Sequence, residues 1–175
     1  MENIQITIGN KELTFSVKFE YDGDFGKPWE NSDGHGVVSN WTTRDKLPGE
    51  LVLNSGRGSK RFYDFAGACA TALADGWDCA PLNDGTESKR QQAAKAARSD
   101  YEYLREWCNN EWHYVGVIVT LLDDEGNETE VTDSMWGVED RDGYNETTAR
   151  EIAEELAHGY GTRWAEVEKE SFGFI

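Results

Sequence analysis

The run S-G-R-G-S-K-R at residues 55–61 is where this sequence concentrates chemistry of one kind: Arg57, Lys60 and Arg61 beside Gly56 and Gly58. Two glycines can turn successive backbone N–H groups outward, and three cations would add to the attraction, so the run is a candidate anion-binding loop centred on Arg57, Gly58, Lys60 and Arg61. It lacks the G-x-x-x-x-G-K-[ST] spacing of a phosphate-binding loop, and no strand–helix–strand unit surrounds it. A hairpin tip explains the same residues without a ligand.

Other catalytic and metal chemistries find little footing. His35, His113 and His158 stand in unrelated segments, with no H-x-x-x-H or H-E-x-x-H pair, so no metal site is predicted. The D-G-D-F-G and D-D-E-G-N-E stretches contain turn-forming Asp and Gly but miss the twelve-residue calcium-loop spacing. No G-x-S-x-G elbow occurs, and Cys69, Cys79 and Cys108 form no C-x-x-C pair, which favours buried structural thiols. No cofactor motif and no carboxylate pair stands out, so the reading is of a non-enzymatic protein.

Charge is the strongest compositional signal. The 175 residues hold 34 acids and 17 bases, a net charge of −17. Residues 121–175 alone carry 16 acids and four bases. Asp123, Asp124, Glu125, Glu128 and Glu130 crowd one expected hairpin, and Glu139, Asp140 and Asp142 the loop that follows. Such a balance disfavours direct binding to nucleic acid or to an anionic membrane surface. It suits either solubility or imitation of the DNA backbone, whose charges recur about every 1.7 Å along the duplex axis. A second candidate surface lies in residues 21–50, an expected long ordered loop carrying Trp29, Trp41, Phe25 and His35, the imidazole standing between two glycines and expected to be exposed. The loop reads either as a flap sealing the end of the sheet or as a recognition surface built on Trp29, His35 and Trp41.

The elements that must position these residues are legible from period and punctuation. Residues 3–21 read as two alternating strands joined at Gly9-Asn10. Residues 50–64 read as a short hairpin or extended crossing. Asp64 then caps a helix with Phe65, Cys69, Ala72 and Leu73 on one stripe, stopped by Gly76. Thr86 is expected to cap the longest helix, about 87–110, with Ala93, Ala97, Tyr101, Leu104 and Cys108 inward. The run Y-V-G-V-I-V-T-L-L, apolar on both faces, is a central strand that turns at 123–128 into a second. A final amphipathic helix turns Ala149, Ile152, Ala153 and Leu156 inward and ends at Gly159. The sum is a single α+β domain over 1–175, an antiparallel sheet of about four to five strands with three helices mainly on one face and an acidic C-terminal portion at 121–175. The absence of a signal-like segment after Met1 and of any long apolar run implies a cytoplasmic protein.

Three segments, at residues 24–53, 61–78 and 103–126, together resemble a family of small uncharacterised proteins encoded by tailed bacteriophages and prophages, over roughly residues 15–140. The resemblance implies a product acting in the bacterial cytoplasm and carries no catalytic or binding residue with it. By analogy with other small acidic phage proteins, it points to a partner among host proteins with basic nucleic-acid-binding surfaces, such as restriction or CRISPR effectors. The alternatives are a nucleotide- or phosphate-binding accessory protein, possibly enzymatic, centred on residues 57–61, and a phage replication or assembly accessory whose acidity serves only solubility.

Overall fold

The computed structural model describes residues 2–32, 34–77 and 87–172, with side chains described through residue 161. Cys79 and Thr86 lie outside the described residues. The chain divides into two compact units, one made of residues 1–25 with 113–175 and one of residues 26–112. The class is α+β with antiparallel pairing throughout. The strands form two sheets of four and three where one of four to five was expected, and the described helices number four, the extra one being a single turn.

In the first unit β1 (Glu2–Ile8) and β2 (Lys11–Tyr21) form a hairpin whose register, Ile8↔Lys11, leaves Gly9 and Asn10 as the turn. Gly9 sits at φ +60°, the left-handed conformation that such two-residue turns require. β6 (Tyr114–Leu122) pairs on one side with β2 and on the other with β7 (Glu128–Glu139), giving the order β1-β2-β6-β7 and placing the doubly apolar strand in the interior. Alternation then sorts the side chains. Ile4, Ile6, Leu13, Phe15, Val17, Val115, Val117, Val119 and Leu121 form one buried face, covered by Ala149, Ile152, Ala153 and Ala157 of α4 (Tyr144–Phe172). The opposite face carries Ser16, Lys18, Thr120, Glu128 and Thr132, joined by polar contacts such as Thr120 Oγ1 to Thr132 Oγ1 at 2.9 Å.

α4 continues through Gly159, where the sequence suggested a stop. Gly159 has no left-handed φ, and the helix gains from packing beyond it: a β-carbon on Gly161 would stand 3.0 Å from Ile8 Cγ2, so the small residue permits close approach to β1. α4 is therefore the longest helix, not the one before it.

The second unit holds the segment expected to be loop. Within 26–50 lie α1 (Pro28–Asn31) and β3 (Val38–Trp41), the latter pairing with β5 (Ser59–Asp64), which also pairs with β4 (Glu50–Gly56). α2 (Phe65–Asp75) begins as the sequence predicts, Asp64 accepting from the Gly67 N–H at 2.9 Å, and ends at Gly76 in the left-handed region (φ +70°). α3 (Lys89–Cys108) is capped by Ser88 together with Gln91, a reciprocal capping box, rather than by Thr86. Ala97, Leu104 and Cys108 of α3 pack on Leu53, Tyr63 and Ala68, with Trp29, Tyr103 and Trp107 closing around them.

Candidate functional site

His35 is where structure departs most from the expected exposed imidazole. Its side chain is only 16% exposed, and Nδ1 lies 2.6 Å from Asp100 Oδ1 on α3. An ionised carboxylate only accepts, so Nδ1 carries the proton. The other oxygen of Asp100 accepts from the Gly36 N–H at 2.8 Å and from the Tyr63 hydroxyl at 2.7 Å. Tyr63 is fully buried, and its burial, followed by the neighbouring Asp100 charge, pushes its phenol far above the ordinary range. Gly36 is required here: a β-carbon would fall 2.5 Å from the Tyr63 ring. The imidazole is stacked on Tyr103 at 5.5 Å and 11°. A His–Asp pair of this kind orients a general base elsewhere, but here one carboxylate binds three groups and fastens residues 35–36 to β5 and α3. It acts as a clasp.

The other loop aromatics are likewise engaged. Trp29 is half-buried, edge-on to Trp107 at 5.4 Å. Trp41 is 45% exposed, but its ring stacks on the Arg44 guanidinium at 4.4 Å. That guanidinium also lies 4.8 Å from Phe62 and makes two 2.8 Å bonds to Glu50, which hold the Glu50 carboxyl below its usual value. Of the three, only Trp41 is exposed: Trp29 is half-buried on Trp107, and His35 is held by Asp100 and Tyr103.

The 55–61 run forms the turn between β4 and β5, with Gly58 at φ +82°. Lys60 and Arg61 are consecutive on a strand and so point to opposite faces. Lys60 pairs with Asp45 at 2.9 Å, while Arg61 reaches Asn40 and lies over the Trp29 ring at 6.0 Å on the α3 side. The convergent site imagined for Arg57, Gly58, Lys60 and Arg61 does not assemble. Burial pushes the thiols of Cys69 and Cys108 upward, away from reactive thiolate.

The acidic residues separate into two groups. Asp123 closes the β6–β7 turn, its carboxylate accepting from the Asn127 and Glu125 N–H groups, bonds that hold its pKa low. Glu128 is held by Lys18 at 2.7 Å and Ser16 at 3.0 Å, which lower its pKa in that order. Asp140 accepts from the His113 N–H at 2.7 Å and faces its Nε2 at 3.0 Å. Asp142, at φ +52°, lies 3.0 Å from Arg141 Nε, and Glu139 is half-buried. Asp124, Glu125 and Glu130, in contrast, are exposed, and their carboxylates hold no partner among the described residues. Glu146, Glu151, Glu154 and Glu155 extend the display along the outer side of α4. This extension was visible in the sequence as the polar stripe of an amphipathic helix.

By sequence the first unit carries 21 acids and six bases, net −15, and the second 13 acids and 11 bases, net −2. Comparison of the chain with protein-family models, curated proteins and solved structures finds no match. Among the described residues, no group of three metal-ligating side chains occurs and no helix is long and apolar enough to cross a membrane.

Proposed function

We propose that this chain is a non-enzymatic acidic binding protein whose first unit occupies a basic, nucleic-acid-binding surface on another protein. The observation that carries the reading is the segregation of charge: −15 of the −17 lies in one unit, with Asp124, Glu125 and Glu130 displayed free at the β6–β7 end and four further glutamates along α4. A surface of like charges repels itself and lowers the stability of the fold that bears it. Binding a cationic groove offsets that repulsion and, as when DNA occupies the groove, releases the counterions held by the two surfaces. The choice of partner, a bacterial enzyme that handles nucleic acid with restriction and CRISPR effectors the foremost targets, met in the host cytoplasm, rests on the resemblance to tailed-phage proteins and the analogy with other small acidic phage products.

The test is capture from nuclease-treated bacterial lysate, followed by elution in a salt gradient and competition with duplex DNA. A nucleic-acid-handling protein released by moderate salt and by DNA supports the proposal. The triple substitution Asp124→Asn, Glu125→Gln, Glu130→Gln weakens capture and flattens its salt dependence. Affinity unchanged between 50 and 500 mM salt, about a threefold change in Debye length, overturns it.

A further inference from the structure

At one end of the first unit, exposed aromatic rings and carboxylates meet in a way the charge argument does not require. Asp22 ends β2 and folds the chain back: its N–H donates to the Tyr114 carbonyl, Oδ1 accepts from the Phe25 N–H at 3.0 Å, and Oδ2 accepts from the Gly137 N–H at 3.0 Å. Phe25 is thereby laid against Gly137 and against the Tyr114 ring, at 4.3 Å. Trp136 lies flat over Gly116, where a β-carbon would come within 2.6 Å of its ring. Tyr21, Asp22, Gly23, Asp24, Phe25 and Trp136 then line an open hollow of about 500 Å³. Tyr21 is 72% exposed, Trp136 49% and Phe25 38%, and the Asp24 carboxylate has no partner among the described residues.

We infer that this hollow is a cation-recognition cup that receives an arginine side chain of a protein partner. Three aromatic rings border the hollow, groups to which a cation is drawn, and the Asp24 carboxylate among the same lining residues supplies full charge. Among the described lining residues there is no Lys or Arg to compete, and the nearest imidazole, His113, packs against the Tyr21 ring at 5.5 Å. A neutral apolar segment seated there would desolvate the rim carboxylate without pairing it. A guanidinium is planar, weakly hydrated and able to stack while donating to a carboxylate, whereas an ammonium keeps its water more tightly. The chain itself uses this combination in its other unit, where Arg44 lies between the Trp41 and Phe62 rings and bonds Glu50. The cup offers the same set of groups outward. The walls are fixed by Asp22 and by two glycine contacts, so little ordering accompanies binding.

The inference rests on the acidic-binding reading only for the partner's identity, and it is tested without that partner. The full chain, uniformly isotope-labelled so that indole and backbone resonances are both seen, is titrated with a blocked tetra-arginine peptide and with a tetra-lysine peptide, followed by NMR. The expected result is a saturable shift of the Trp136 indole resonance, with arginine bound at least threefold more tightly than lysine. Trp136→Ala and Asp24→Asn each weaken the arginine peptide at least fivefold. Tyr21→Ala, at a highly exposed position, repeats the test without disturbing the packing on Gly116. Equal affinity for the two peptides, or a Trp136 resonance that does not move while the β6–β7 hairpin resonances do, overturns the cup. Failure of the charge reading shows differently: the triple hairpin substitution leaves partner capture unchanged while arginine preference at Trp136 persists.

Discussion

The two units use charge in opposite ways. In the second, nearly every acid that structure places beside a base is answered by it: Arg44 with Glu50, Lys60 with Asp45, Lys95 with Glu87, Arg105 with Glu102, and His35 with Asp100. In the first, Asp22, Asp123, Glu128 and Asp140 serve the fold, while Asp124, Glu125 and Glu130 and, on α4, Glu146, Glu151, Glu154 and Glu155 face solvent. The contrast separates a scaffold held by internal pairing from a surface whose charge is left largely unpaired, and it is this difference that the proposed binding role draws on.

The sharpest way to break that comparison is at the clasp. Asp100→Ala leaves the buried Tyr63 hydroxyl, the Gly36 N–H and the His35 imidazole without their common acceptor. Removing one partner of a buried pair costs about 3–5 kcal/mol, and loss of that size in urea unfolding is expected here. A loss below about 1 kcal/mol would mean that the residue 35–36 segment is held by its strand pairing instead. Gly36→Ala probes the same site from the other side, because its β-carbon must displace the Tyr63 ring; overpacking of this kind costs about 1–3 kcal/mol.

Next in size is the response to pH and salt, which should differ in sign between the units. Glu50 and Asp45 have their pKa values lowered by bonds to Arg44 and Lys60, respectively. A carboxyl whose folded value lies below its unfolded one contributes stability above the unfolded value and loses it as pH falls through the folded value. Acidification below about pH 4, the unfolded carboxyl range, therefore loosens the second unit. The first unit starts from strong self-repulsion, so lowering its net negative charge, or screening it with 0.5 M salt, relieves strain, against the loss of its paired carboxylates Asp123 and Glu128, whose pKa values are lowered. Hydrogen exchange resolved by segment, at pH 7 and about pH 3 and at low and high salt, checks this. Identical responses in residues 113–161 and 34–77 would remove the distinction.

Local signals carried much of the fold. The Gly9-Asn10 turn, the Asp64 cap with its Gly76 stop, and the interior position of β6 are each written in a few adjacent residues. What was hidden depends on partners distant in sequence. β3 is four residues long and half-exposed, and only pairing with β5, Val38 opposite Tyr63, makes it a strand. The division into two sheets follows from such pairings and leaves no local trace. α4 passes Gly159 because packing against the sheet outweighs a glycine's intrinsic cost of about 1 kcal/mol. The candidate sites behaved alike. The acidic hairpin was visible as a run, whereas the cup needs Trp136 brought beside Tyr21 and Phe25, and His35 gave no sign that Asp100, 65 positions on, would accept its Nδ1–H.

The smallest expected effect concerns the cations of the second unit. If Arg57, Lys60 and Arg61 formed an anion site, a nucleotide or phosphate at 100 times its dissociation constant would stabilise the fold by about 2.7 kcal/mol. The alternation of β5 sends Lys60 and Arg61 to opposite faces, each to its own contacts, and leaves Arg57 alone at the turn. A thermal-shift series with inorganic phosphate, ATP and GTP should therefore leave the melting temperature where it was. A shift that appears with one of them and vanishes in Lys60→Ala, Arg61→Ala would show the two side chains leaving Asp45 and Asn40 to share a ligand. In that event the second unit would itself bind an anion, and the contrast between the two units would no longer support the proposed role of the first.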